Sequence, residues 1–384
     1  MAMFFAWRAD RPAIRDGSGC FAAGLGYGAL GQLLTEAALP LAAALGVAAV
    51  AALGRIVEWP RLRAAMAALI AIVAAWGFVP MVAWTDGAVL SLAGIPMTVD
   101  SLDLAPAEVL RRLLVPSLLL AASLWLLRGR ISPRAALAGT ILTAIPGIVS
   151  LHCFYRAGFD AQLGSDFIKI GLAQRLLWDA MLIAAGYALW RRAGGLLAGH
   201  VAPVLVGAGA LHVVWYSLFI HDPLWADQAV GPVPIANLSI PLFAALPLCV
   251  WLIGRMVPAA ARFTDRALQP VIMAMVALFA WATLRQFFHG SLLAEPGLGQ
   301  TEDILRSILG IALAIGYLLW GIRSHRRDWR IASLVLMLAA VAKVFLFDAS
   351  GLEGLLRIAS FVALGFSLIG IGWLYSRQLR SEAH

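Results

Sequence analysis

Apolar segments of membrane-crossing length follow one another along almost the whole chain. Most run for about 17 to 22 residues, the length that an α-helix needs to cross the hydrocarbon core of a bilayer, and short polar segments separate them. A helix satisfies its own backbone hydrogen bonds, so helices are the expected form of such segments in lipid. The pattern predicts twelve spans, at residues 17–34, 38–54, 64–84, 109–127, 135–154, 171–190, 198–219, 236–253, 267–288, 303–322, 330–347 and 355–375.

Basic residues fall unevenly on the two sides that these spans define. With twelve spans and both termini inside, inward-facing segments hold 20 of the 29 Lys and Arg residues, and the other side holds 15 of the 21 acidic residues. Basic residues of short loops stay on the cytoplasmic side. If residues 17–54 formed one helix instead of two, Arg8, Arg11 and Arg15 would lie outside. The charge pattern therefore favours twelve spans, both termini in the cytoplasm and an inner-membrane location.

Composition supports a membrane protein and excludes several other classes. The chain is 62% hydrophobic and 13% charged, with a mean hydropathy of +0.87, which is more apolar surface than one soluble core buries. The net charge of +8 comes from arginines in short loops, so we expect no nucleic-acid partner. Three cysteines match no metal or disulfide spacing, and only His212 is well placed for a bis-histidine haem. We expect neither a metal nor a cofactor.

Similar helix ends recur at a nearly fixed interval. The motifs "WLLRGR", "WLIGR" and "WLYSR" end at Arg130, Arg255 and Arg377, and "GYALWRR" and "GYLLWGIR" form a second recurring pair. The simplest interpretation is an all-α bundle of three tandem four-helix units in parallel orientation, at residues 17–130, 131–255 and 262–380. The alternative is that Trp followed by Arg is common wherever a helix ends at the inner interface.

Ionisable residues collect at the outer ends of the predicted spans in the second and third units. Several are four residues apart and so share one helical face, and an ionisable group at membrane depth is costly enough to suggest a role. If the helix ends converge, these groups would line a polar pocket at the outer leaflet. The candidate binding residues are His152, Arg156, Asp179, His212, Arg285, His289, Glu302, Lys343, Asp348, Glu353 and Arg357.

Structural explanations compete with this interpretation. Lys343 can extend to the lipid headgroups or pair with Asp348, and Arg175 and Asp179 form a possible i,i+4 pair within one span. The first unit has Trp76 where the second has His212 and the third has Lys343, so it is expected to be the structural one.

The stretch "LRQFFHG", then Glu302 and Ser307, then "KVFLFDASGLEGLLRIASFVALGFSLIGIGWLYSR", resembles the C-terminal region of the bacterial membrane proteins grouped as the domain-of-unknown-function 2339 family. A weaker likeness extends toward residue 20. The resemblance implies that Arg285, His289, Glu302, Lys343, Asp348 and Arg357 occupy recurrent polar positions of that family. Many members look longer, so this chain is expected to be either a short member or the end of a split one. The resemblance implies an architecture but no reaction.

Three functions fit the sequence. The first is a transporter or lipid-handling protein whose outer pocket holds an anionic lipid or a lipid-linked glycan. The second is an intramembrane, glycosyltransferase-like enzyme, with His289 or His152 as base and Glu302, Asp348 or Asp179 as its partner; Asp100 and Asp103 lie in an outer loop. The third is a scaffold for other membrane proteins of the envelope. The transporter or lipid-handling function is favoured. The catalytic residues of the alternative enzyme stay unknown.

Overall fold

The chain forms α-helices throughout the continuous ranges that the structure describes. This computed structural model describes residues 11–97, 105–159, 165–195, 197–297 and 299–346, together with Ile369. The continuous ranges contain eleven helices: α1 Pro12–Leu33, α2 Leu39–Leu53, α3 Trp59–Leu92, α4 Pro106–Leu126, α5 Pro133–Phe159, α6 Ser165–Arg192, α7 Leu197–Ile220, α8 Ser239–Met256, α9 Ala261–His289, α10 Gln300–Arg323 and α11 Arg327–Leu346. Within them, β pairing is limited to an isolated antiparallel bridge between Ala229 and Leu292. The prediction of an all-α fold is confirmed.

Eight of these helices are long and apolar enough to cross a membrane, namely α2 to α5 and α7 to α10, where α2 is extended by the turn Glu36–Ala38 and α9 by the turn Pro258–Ala260. Helices α1, α6 and α11 coincide with the predicted spans 17–34, 171–190 and 330–347 but do not belong to that set. Ionisable residues such as Arg175, Asp179 and Lys343 lower the apolar character of α6 and α11. The last predicted span, 355–375, lies outside the described helices. The count of twelve spans therefore stays a prediction.

Helix α3 is longer than the sequence pattern predicted. It runs to Leu92, whereas the predicted span ended at residue 84 and was followed by a long outer loop. Pro80 lies inside it, as proline often does in membrane helices, where neighbouring groups satisfy the freed backbone carbonyl. Asp100 and Asp103, the acidic residues of the expected loop, lie outside the described residues.

The chain divides into two compact units, Met1–Phe167 and Ile168–His384. The first unit contains α1 to α5. Its core is formed by small and branched side chains where α2 packs against α3 and α4, with Ala43, Ala44 and Val47 buried and Leu69 beside Gly46. Small residues let membrane helices approach closely, and dispersion contacts then stabilise the packing. The three predicted repeats, which have other boundaries, stay a prediction.

The second unit contains nearly all of α6 and the whole of α7 to α11, and its core lies between neighbouring helices. Leu172 of α6, Leu242 of α8 and Ala282 of α9 are buried together near one end of the helices, and apolar residues of α6, α7 and α8 pack in a second cluster. A Cβ atom added at Gly186 of α6 would lie 2.8 Å from the carbonyl oxygen of Ala202. Glycine is therefore required at this contact, which brings α6 and α7 close together.

Candidate functional site

A buried carboxylate collects three basic side chains where α9 ends and α10 begins. Glu302 lies in the first turn of α10 and its side chain is 1% exposed. Arg306 donates from Nη2 to Glu302 Oε1 over 2.8 Å, and Arg285 Nη1 lies 3.3 Å from the same oxygen. His289 Nε2 lies 2.9 Å from Glu302 Oε2. A buried charge needs such partners, because desolvation otherwise opposes ionisation.

The turn between α9 and α10 holds this group, the Glu302 cluster, in place. Arg285 donates to the backbone carbonyl of Leu293, and its Nη2 donates to the carbonyl of Glu295 over 2.7 Å. Gly290 ends α9 with φ at 67°, a conformation that a residue without Cβ adopts readily. The chain can therefore turn directly after His289 and pass beneath the Arg285 guanidinium.

Lys343 joins α11 to the same end of α10. Its Nζ lies 2.9 Å from Asp303 Oδ1 and donates to Ser307 Oγ over 2.8 Å. Both side chains of the Lys343–Asp303 pair are about one-third exposed. The partner expected from the sequence, Asp348, lies outside the described residues, whereas Asp303 was not predicted. The charged ends of α9, α10 and α11 thus converge in the second unit.

A second buried carboxylate lies on α6. Asp179 is 1% exposed, and its Oδ1 lies 2.7 Å from His212 Nδ1 on α7. The His212 ring packs against Tyr216, with centroids 4.6 Å apart. Arg175, the expected i,i+4 neighbour, donates from Nη2 to Gln228 Oε1 over 2.8 Å. The His212 contact of Asp179 joins two helices, so spacing along one helix cannot reveal it.

The connection between α7 and α8 joins the polar ends of several helices. Its Ala229 N–H donates to the carbonyl of Ile168, and its Val230 N–H donates to the carbonyl of Ser291. Gln286 of α9 donates to the carbonyl of Gly231 over 2.8 Å. These backbone contacts fix the connection to α6 and to the turn after α9, so the polar ends form one layer within the second unit.

Two adjacent residues of this connection have pKa values shifted in opposite directions. Burial raises the pKa of Asp222 to about 7, although its Oδ1 accepts a hydrogen bond from the Leu224 N–H. Burial, together with the positive charge of Arg175, lowers the pKa of His221 to about 4. In both residues the desolvated site favours the neutral form.

The predicted residues His152 and Arg156 belong to the first compact unit, Met1–Phe167, although the predicted repeat that contains them is the second. His152 Nδ1 accepts a hydrogen bond of 3.0 Å from Trp84 Nε1, and the two rings meet edge to face. Arg156 is half-buried on the same helix, α5. Trp76 donates to the Tyr27 hydroxyl. This is a polar contact within the first predicted repeat, which was expected to be structural.

The candidate residues thus separate into groups. Arg285, His289 and Glu302 meet in one cluster, Lys343 lies at the neighbouring helix end, and Asp179 and His212 form a pair. Asp348, Glu353 and Arg357 lie outside the described residues. Sequence reasoning missed Asp303 as the partner of Lys343, and it missed the amide side chains of Gln228, Asn237 and Gln286. The signal available for Asp303 was its position next to Glu302 at the start of a helix.

No group of three or more His, Cys, Asp or Glu side chains in the described part of the chain could hold a metal ion. Cys20, Cys153 and Cys249 are free thiols, and the last two are buried.

Comparison with known proteins gives one match. A family model described as "Predicted membrane protein (DUF2339)" matches residues 1–378, which extends well beyond the C-terminal stretch that carried the resemblance. No curated protein and no solved structure matches the chain. Since the family model covers nearly the whole sequence, this chain belongs to the DUF2339 family of membrane proteins.

Proposed function

We propose that the protein binds the anionic headgroup of an envelope lipid or lipid-linked precursor at the Glu302 cluster, on the outer side of a bacterial inner membrane. The observation that carries this proposal is a local excess of positive charge. Arg285 and Arg306 share a single carboxylate, that of Glu302, so the cluster has more cations than anions even when His289 is neutral. The neighbouring Lys343–Asp303 pair is balanced. Transport of such a lipid would require this binding step.

Arg306 is the residue best suited to contact the ligand. Its side chain is 21% exposed, and among the described residues it makes one hydrogen bond, to Glu302. A guanidinium has five N–H donors; the Nε of Arg306 is buried and one Nη2 donor contacts Glu302, which leaves the remaining Nη donors for phosphate or carboxylate oxygens. Its guanidinium carbon lies 5.7 Å from the centre of the Trp281 ring, which holds the group in place by a cation–π contact.

We propose that this end of α10 faces outward in a twelve-span chain with cytoplasmic termini, because that topology places most arginines inside. The proposed four-helix repeats gain support from two contacts, each between the second and third helices of a repeat. His212 contacts Asp179 in the second repeat, and Lys343 contacts Asp303 in the third. The two basic residues occupy corresponding repeat positions.

Arg112 of α4 provides a matched control for Arg306. Its Nη2 lies 3.4 Å from Glu108, four residues earlier, and its guanidinium carbon lies 5.4 Å from the centre of the Trp76 ring. Both arginines therefore have an i−4 glutamate and an aromatic ring. They differ in that Glu108 is paired with Arg112, whereas Glu302 is shared among Arg306, Arg285 and His289.

The test is native mass spectrometry of the purified protein with added phosphatidylglycerol or phosphatidylcholine. Wild type should bind phosphatidylglycerol more tightly, and Arg306→Gln should weaken that binding by at least about threefold. Arg306→Lys should keep part of the affinity, because the charge remains, and Arg112→Gln should match wild type. Free inorganic phosphate, added as a competitor, distinguishes recognition of the phosphate alone from recognition of the whole lipid. Equal affinities in all well-folded variants would favour the scaffold function.

The His289–Glu302 contact supports an enzyme as the second candidate. A carboxylate that orients a histidine is a common arrangement for general acid–base catalysis. An enzyme would require turnover of a lipid-linked substrate that is lost in His289→Gln and retained in His152→Gln, because His289 contacts the Glu302 carboxylate and His152 belongs to the other compact unit. Binding without turnover would exclude this candidate for the substrate tested.

A further inference from the structure

An apolar groove runs along the second unit between α6 and α8. Its volume is about 700 Å³, within the range of pockets that hold small organic molecules. One wall includes Leu176, Ile183 and Tyr187 of α6, and the other includes Pro241 and Trp251 of α8. The α6 residues from Leu176 to Tyr187 extend over about 16 Å of helix, or about half the hydrocarbon thickness of a bilayer. Such a shape suits an elongated chain.

Asp179 is the one carboxylate among the described residues that line the groove. Its Oδ1 contacts His212, while its Oδ2 is buried and has no hydrogen-bond partner among the described residues. A buried acceptor without a donor costs free energy. It lies one helical turn from Leu176, near one end of the groove, and the remaining wall is apolar. A ligand that fits must therefore carry one hydrogen-bond donor near one end and be apolar along the rest.

We propose that this groove binds a neutral, lipid-soluble alcohol: a long apolar chain whose terminal hydroxyl donates to Asp179 Oδ2. A carboxylate repels phosphate headgroups, so the groove is distinct in chemistry from the anion site at Glu302. An ammonium group is less suitable than a hydroxyl, because the carboxylate already has the basic His212 as its partner. The inference is independent of the proposed function, since it involves other residues and the opposite ligand chemistry.

Trp251 lets the groove be monitored directly, because it lies in the wall and bromine atoms quench indole fluorescence on contact. The probes are 9,10-dibromostearyl alcohol and its methyl ether, each titrated into phosphatidylcholine nanodiscs that contain the protein. The chain has 14 tryptophans, so the signal of Trp251 is the difference between wild type and Trp251→Phe. The ether has the same chain but no donor.

Wild type should bind the alcohol about tenfold more tightly than the ether, because only the alcohol can donate a hydrogen bond to the buried Oδ2. In Asp179→Asn an amide NH2 takes the place of Oδ2. The oxygen of either probe can accept a hydrogen bond from this NH2, so the preference for the alcohol should disappear. Equal quenching by the two probes in wild type would overturn the proposal, because the groove would then hold only bulk lipid chains.

A second variant keeps the test valid if Asp179→Asn fails to fold. Ala245→Phe fills the groove from α8 and leaves the Asp179–His212 pair unchanged, so it should abolish saturable quenching of Trp251 by the alcohol. Ala185→Phe is the matched control, since Ala185 is exposed on α6 and does not line the groove. Saturable quenching that persists in a folded Ala245→Phe variant would contradict the proposed site.

Discussion

Glu302 and Asp222 show how the surroundings of a buried carboxylate determine its chemistry. Glu302 is in contact with two guanidinium groups and one imidazole, whereas the Asp222 side chain accepts a hydrogen bond from a backbone N–H and has a second oxygen without a partner in the described structure. The first is suited to a permanent negative charge, and the second is suited to a proton. Sequence identifies both as acids near helix ends, but it cannot show which neighbours they have.

The opposite pKa shifts of His221 and Asp222 predict opposite pH dependences of stability. The folded pKa of Asp222, about 7, exceeds the unfolded value, so its contribution to stability falls as the pH rises from about 4 to 7. The folded pKa of His221, about 4, is below the unfolded value, so its contribution rises between about 4 and 6.5. Each slope is on the order of 1 kcal/mol per pH unit, and the two oppose each other in wild type.

Thermal unfolding in detergent at pH 5.0 and 6.5 separates the two residues. Relative to wild type, Asp222→Asn should gain stability as the pH rises, because only the His221 slope remains. His221→Gln should lose stability over the same interval. Comparison with wild type cancels the titration of other groups, and the same pH dependence in all three proteins would show that neither shift exists.

At the scale of helices, the apolar runs were sufficient to locate every described helix but not to identify its partners. Each of the first eleven predicted segments overlaps a described helix, because the length of an apolar run is a local property, although α3 continues past its predicted end to Leu92. Lys343 and its partner Asp303 are 40 residues apart, and Asp179 and His212 are 33 residues apart. Those contacts depend on which helices pack together; α6 and α7, which carry Asp179 and His212, also approach closely at Gly186.

Gly186 provides a test of that close approach. In Gly186→Ala the new Cβ would lie 2.7 Å from Val206 Cγ2 and 2.8 Å from the Ala202 carbonyl oxygen, so α6 and α7 must separate. We expect a loss of about 1 to 3 kcal/mol in stability. Gly207→Ala on α7 is the control, since a Cβ there meets nothing within 4 Å, and it should be neutral or slightly stabilising. If the two variants had equal denaturation midpoints, tight packing at Gly186 would be excluded.

At the scale of the whole molecule, the described part of the chain combines eight helices of clear membrane-crossing character with three that carry more polar residues or less apolar surface. A hydropathy profile predicts the first kind well. The polar helix α6 is tolerated because Arg175 and Asp179 are buried against protein groups of the second unit. The contacts of such helices depend on which helices pack together. For this reason the sequence predicted where the charged residues lie better than it predicted their contacts.

The account depends on α10 crossing the membrane with the Glu302 cluster on the outer side. Gln300 and Arg326 are exposed residues near the two ends of this helix, and each can be replaced by cysteine in a background without Cys20, Cys153 and Cys249. A membrane-impermeant maleimide applied to spheroplasts should label Gln300→Cys, and it should label Arg326→Cys only after the membrane is opened. Labelling of Arg326→Cys in intact spheroplasts, with protection of Gln300→Cys, would place the charged layer in the cytoplasm and contradict the proposed outer anion site.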